Sequence, residues 1–221
     1  MSWWKRLWGG GEILSSPERL NDVHLDMHGW SEEVASQGRA WHDSQGNVLG
    51  LDIPKTPLRL PDFTDEVAIQ VWSRRLAESR HAGLIEVRVV AGIVGVALGL
   101  IHKRLQKPAY IFTGHLLVPG EEFFQAWTVI AGERGTTGVR EAVITAELMN
   151  NGELTIEDYE RSWAQDPYDA TYRGVDRSVL RFVSDDERYD ERFPDHPLST
   201  VRRVLAALPS SVQVESTFRE M

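Results

Sequence analysis

LIEVRVVAGIVGVALGLIHKRLQKPAYIFTGHLLVPGEEFFQAWTVIA, residues 84–131, decides the fold. The stretch is dense in β-branched and aromatic residues and is cut by short glycine or polar turns. It reads as four strands, over 84–91, 95–103, 110–118 and 123–131. Strands joined by such short turns pair as an antiparallel meander. The longest uncharged apolar run, 89–101, falls well short of the roughly 20 residues of a membrane helix. It also contains Gly92, Gly95 and Gly99, so it reads as two strands and a turn. In the fourth strand Phe123, Gln125, Trp127 and Val129 share one face, and Phe124, Ala126, Thr128 and Ile130 the other. Both faces are largely apolar, which predicts cover on both sides.

Upstream, residues 38–53 read as a hairpin turning at Asp43-Ser44-Gln45-Gly46-Asn47, and Pro54, Pro57 and Pro61 make an extended connection. A helix over 65–80 is expected, capped by Thr64, with Ala68, Val71, Trp72 and Leu76 as its apolar stripe and Arg74, Arg75, Glu78 and Arg80 mostly outside it. A second helix over 137–149 stops at Asn150-Asn151-Gly152. Beyond it, Thr155-Ile156-Glu157-Asp158 resembles a helix start, with Tyr159 and Trp163 as apolar anchors. The charged run 184–192 reads as a solvated helix with local ion pairs. Leu198, Val201, Val204, Leu205 and Leu208 mark a last amphipathic helix. The expected class is α+β: an antiparallel sheet with helices packed on it and a helical C-terminal extension. The expected partition is a Trp-rich segment over 1–15, a core over 16–152 and the extension over 153–221.

The chain has 221 residues, 42% of them hydrophobic, enough for a substantial core. Its net charge of -9 argues against a general nucleic-acid binder, because phosphate binding needs a basic surface. It has no cysteine, which excludes disulfides and thiolate chemistry.

The order hairpin, helix, four-stranded meander, helix resembles the Mog1/PsbP-type α/β/α sandwich over half to two-thirds of the chain. The resemblance implies a binding scaffold that associates with protein partners, and it supplies no site residue. The leading expectation is therefore a non-enzymatic binding or accessory protein of the bacterial cytosol, with a protein partner, no cofactor and no nucleic acid. One alternative is an enzyme with a small pocket at the turn 132–140. Another is a membrane-surface accessory held by Trp3, Trp4 and Trp8, flanking Lys5 and Arg6.

Two local patterns carry candidate chemistry. Gly132-Glu133-Arg134-Gly135-Thr136-Thr137-Gly138 joins a strand to a helix. Glu133, Arg134, Thr136, Thr137 and Arg140 make a candidate anion site at that helix start, against the simpler reading of a glycine turn with a threonine cap. In the string His24-Leu25-Asp26-Met27-His28, His24 and His28 would share one face of a helix in a metal geometry, with Asp26 between them, against the reading of two exposed histidines. Glu121, Glu122, Glu133 and Glu141 are acidic candidates that nothing in the sequence brings together. His102 and His115 fall in or near strands of the meander, where either could line a pocket on the sheet, against the commoner reading of a satisfied structural histidine, and no Gly-x-Ser-x-Gly elbow occurs.

Overall fold

The computed structural model describes residues 23–33, 39–53, 59–93, 95–119 and 125–214. The strands are β1 (Val23–Leu25), β2 (Trp30–Glu33), β3 (Arg39–Asp43), β4 (Val48–Asp52), β5 (Gly83–Ala91), β6 (Val96–Gln106), β7 (Ala109–Val118), β8 (Gln125–Gly132), β9 (Ala164–Gln165), β10 (Arg181–Phe182) and β11 (Val212–Val214). The helices are α1 (Glu66–Glu78), α2 (Val139–Asn150), α3 (Ile156–Ser162) and α4 (Pro197–Ser211). Seven strands form one antiparallel sheet in the order β2-β3-β4-β8-β7-β6-β5. The expected meander β5–β8 is its larger part, and the β3–β4 hairpin adds to it through β8. The fold is α+β, as the sequence implies. No helix among the described residues is long and apolar enough to cross a membrane. Trp3, Trp4 and Trp8, with Glu121 and Glu122, lie outside the described residues.

Both sheet faces are covered. On one face α1 sets Ile69 and Ala77 against Leu84, Leu98, Leu100 and Leu117, with Trp72 and Leu76 beside them. The buried line of α1 is thus rotated slightly from the expected stripe, and Val67 stays 69% exposed. The cap also differs. Asp65 accepts the Ala68 amide at 2.9 Å, while the Thr64 hydroxyl donates to Asp62 instead. On the other face α4 lies over β7 and β8 through Val201, Val204 and Leu208. The contact is close because β7 carries Gly114 beneath the helix. A Cβ there would lie 2.6 Å from Val201 Cγ1, inside any tolerable separation. Trp41 of β3 stacks on Trp127 of β8 at 5.7 Å between ring centroids, locking the hairpin to the meander.

The segment after α2 wraps the end of the sheet. Thr155 caps α3 in a reciprocal capping box with Asp158, as its sequence suggests. Trp163, Leu180, Phe182 and Tyr189 make a third apolar cluster with Ile144 of α2. Residues 183–192 correct the sequence reading. They form two short 3-10 turns rather than a solvated helix, and Ser184 and Asp185 are fully buried. Asp185 forms a 2.6 Å ion pair with Lys103 of β6, and both side chains are wholly inaccessible. Arg74 and Arg80 also leave the exposed surface. The first pairs with Asp166 at 2.8 Å, and the second reaches His102 and His115 Nε2 at 3.2 and 2.7 Å.

His102 and His115 are buried side by side in the sheet, their Nε2 atoms 3.1 Å apart. Burial and the nearby Arg80 hold both imidazoles well below their usual value of 6.5. The folded chain therefore keeps them neutral, while the unfolded chain takes up protons near pH 6.5. Their contribution to stability is present above that pH and is lost as pH falls below it. The free energy of unfolding, and with it the urea midpoint, is expected to drop between pH 7.5 and 5.5, the free energy by up to about 1.4 kcal/mol per pH unit for each histidine once below 6.5. His115→Gln is expected to flatten that slope. A wild-type midpoint constant over this range would contradict the assignment.

Candidate functional site

The turn that closes β8 opens onto a polar cleft of about 580 Å³. Its walls come from the β3–β4 hairpin (Asp43, Gln45, Asn47), the turn itself (Glu133, Arg134, Thr136), Arg140 of α2, and the α4 approach (Arg192, His196, Arg203). The hairpin wall is rigid by local chemistry. Asp43 Oδ1 accepts the Gln45 and Asn47 amides at 2.9 and 2.8 Å, and Gly46 takes φ 67° to close the turn.

Of the five residues proposed for an anion, Glu133, Arg134, Thr136 and Arg140 line this cleft, and Thr137 is not among its walls. Neither threonine caps α2. Gly138 stands at the N-cap in a left-handed conformation with no side-chain cap, and its amide is held by Glu133 Oε1 at 2.7 Å. Glu133 Oε2 accepts the Tyr110 amide at 2.8 Å, so one carboxylate ties the helix start to β7. Arg140 is 1% exposed, and its guanidinium is committed to the protein. It donates to Ser184 O, Asp190, Ser199 and Asp186 O at 2.7 to 3.0 Å. Arg192 is held by both oxygens of Glu147, and Arg203 by Pro194 O and Thr200. Arg134 is exposed at the mouth, over Gly46.

Beneath the mouth the sign of charge reverses. Glu133, Glu141 and His196 each place a ligand-type atom within 4.8 Å of the others. His196 Nε2 stands 4.0 Å from Glu141 Oε1. Neither Glu141 oxygen, nor His196 Nε2, nor Asp185 Oδ1 has a hydrogen-bond partner among the described residues, and all four atoms are buried. Burial raises the Glu141 carboxyl above its usual range, with Asp185 adding to the effect and Lys103 opposing it. Burial also pushes His196 down to about 4. His196 caps α4 through Nδ1, which accepts the Leu198 amide at 3.2 Å.

This convergence was not legible in the sequence. In the sequence Glu133 and Glu141 stand as separate acidic candidates, and Asp195-His196 lies between Pro194 and Pro197 with nothing to link it to them. That proline bracket was the one local signal, since it fixes the backbone entering α4. The sequence pattern at His24, Asp26 and His28 is not realised. His24 lies in strand β1 and a turn follows, so the helical spacing on which the metal reading depended does not form.

A second concavity, of about 670 Å³, lies on the same sheet face on the other side of α4. Because α4 covers β7 and β8, a trough remains over β5 and β6. Val90, Ala91 and Gly99 form its floor, and Leu205, Ala206 and Pro209 its helical wall. Glu86, Arg88, Glu187 and Arg202 rim it and are joined by ion pairs of 2.7 to 3.0 Å. The trough runs along β5, the terminal strand of the sheet. The Tyr168 hydroxyl blocks the inner half of that edge, accepting the Val87 amide at 2.8 Å and donating to the Val87 carbonyl at 3.0 Å. The alternation that turns Val87 outward also turns out the backbone of Val89 and Ala91. No partner for those groups occurs among the described residues, and Val89 is 41% exposed.

No family model matches the chain, and no curated protein does. Among solved structures, the chain is similar to one described as LpqN involved in cell envelope biogenesis of Mycobacterium tuberculosis. The identity is 10%, over 61% of this chain and 80% of that one, with a TM-score of 0.33. A likeness at that score is distant and carries no argument about function.

Proposed function

We propose that this chain is a non-enzymatic binding domain whose docking surface is the outer half of β5 with the apolar trough beside it. The occupant is an extended segment of a partner protein carrying apolar side chains at alternate positions. The observation that carries this reading is the half-blocked edge. Tyr168 satisfies Val87, whereas the next outward groups, at Val89 and Ala91, meet no described partner and adjoin the trough. An added strand would pair its backbone with those groups and set every second side chain on the trough side, beside Val90. The resemblance in element order to the Mog1/PsbP-type sandwich, a group of protein-associating scaffolds, supports the same direction. A cytosolic setting belongs to this proposal and is checked by cell fractionation.

The test is a random peptide library displayed on phage and selected on the full chain. Enriched peptides are expected to share apolar residues at alternate positions. Ala206→Glu, which charges the trough wall, and Ala91→Pro, which removes an outward amide, are each expected to weaken their binding at least tenfold. Val67→Glu, on the exposed side of α1, is expected to leave it unchanged. No enrichment, or peptides indifferent to both trough variants, would overturn the reading. A chain that self-associates until Ala91→Pro makes it monomeric would replace the partner with a second copy.

A further inference from the structure

We infer that Glu133, Glu141 and His196 form a binding site for one divalent first-row transition ion beneath the polar cleft. The inference is independent of the strand-docking reading, since it uses the other side of α4. Its first support is a count of donors and acceptors. The chamber holds the carboxylates of Glu133, Glu141 and Asp185 against the single ammonium of Lys103, which is spent on Asp185. Arg140, the next cation, is paired with Asp190. Three buried carboxylate oxygens, two on Glu141 and one on Asp185, accept no hydrogen bond from another described residue. Buried acceptors without donors are costly, and a surplus of negative charge in the same space compounds the cost. A divalent cation held by Glu133, Glu141 and His196 would satisfy the Glu141 oxygens and offset the surplus charge, with Asp185 outside the ligand set.

The second support is His196. Its side chain is 8% accessible, and Nε2 faces the two carboxylates with no hydrogen-bond partner. Glu133 is anchored by the Tyr110 and Gly138 amides, which fix its position and leave lone pairs for an ion. That is the kind of outer support that ligating carboxylates receive. One imidazole with two carboxylates suits a first-row divalent ion more than calcium, whose ligands are all oxygen. Entry is direct, because Glu133 and His196 are themselves walls of the cleft. Ligation through Nε2 moves the ring proton to Nδ1, and the Leu198 amide gives up its 3.2 Å bond, a long one, to the ring.

The experiment is equilibrium titration of the chelator-stripped full chain with MnCl2, followed by electron spin-echo spectroscopy of the bound ion. One ion per chain is expected, with a coupled histidine nitrogen in the spectrum. Glu141→Gln, which keeps shape and removes charge, is expected to lower affinity at least tenfold. His196→Asn, which retains a capping oxygen for α4, is expected to do the same and to abolish the nitrogen coupling. Glu147→Gln, on the exposed side of the same helix and paired with Arg192, should bind like the wild type. Absence of stoichiometric binding, binding that neither variant weakens, or a wild-type spectrum without histidine nitrogen would overturn the assignment. The last readout needs no variant, so it holds even if a substitution prevents folding.

Discussion

Asp185→Ala is expected to lower the free energy of unfolding by about 3–5 kcal/mol, the range for stranding one partner of a buried ion pair. The pair it breaks, to Lys103, is wholly inaccessible, and the 2.6 Å contact is the only carboxylate bond the ammonium makes among the described residues. Burial already pulls the Lys103 ammonium below its usual range, and Asp185 is the largest influence holding it up. Without Asp185, the lysine either keeps an unpaired buried charge or gives up its proton, and both outcomes cost stability. The Phe182 amide, which donates to the same carboxylate at 2.7 Å, is stranded as well. The paired change Lys103→Met with Asp185→Asn should restore most of the loss, because asparagine keeps an acceptor for Phe182. Methionine can lie against the Phe182 ring that Lys103 Nζ approaches at 3.1 Å. Urea unfolding of Lys103→Met, Asp185→Asn and the double variant carrying both measures the coupling. A single-variant loss under about 1 kcal/mol would mean that water or another cation reaches the pair.

That pair also shows where sequence reading stops. Strands β5–β8 were legible because alternation and turn residues are local, and the limits of the meander were placed within a few residues. The hairpin at Asp43 to Asn47 and the stop at Asn151-Gly152 were legible for the same reason. Ser184-Asp185-Asp186 was not. Three polar residues beside a run of mixed charge look solvated, and only a lysine 82 residues away in sequence makes Asp185 a core residue. The cleft divided in the same way. Its turn was visible as glycines and threonines, but the N-cap is Gly138, and the group that fixes it is Glu133 rather than either threonine. The convergence of Glu133 and Glu141 with His196 joins a turn, a helix and a distant helix start, which no local spacing encodes. His24 and His28 had a suggestive spacing, but a strand formed where that spacing needed a helix.

Arg140 carries the second large expected effect. Arg140→Met is expected to cost about 2–6 kcal/mol, because it leaves the Ser184 and Asp186 carbonyls without their donor, about 1–3 kcal/mol each, while Asp190 keeps Arg202. Arg140→Lys is expected to recover less than half. An ammonium can pair with Asp190, but it cannot also reach Ser184 O, Asp186 O and Ser199 in the planar fork that arginine supplies. The loss should be directional. Asp190 is shared with Arg202, which bridges to Glu86 of β5 at 2.7 Å, so one connected set of charges joins α2, the 3-10 turns, α4 and the sheet edge. Hydrogen exchange should therefore speed up first over residues 183–192 and the start of α4, with β6 and β7 affected only by global unfolding. Uniform acceleration over the whole sheet would show that Arg140 supports the core as a whole. Unchanged exchange over 183–192 would show that the third apolar cluster, not the charges, holds the tail. Between those outcomes lies the answer to why a residue type so often used to seize anions from solvent is buried here: it is occupied in closing the chain upon itself.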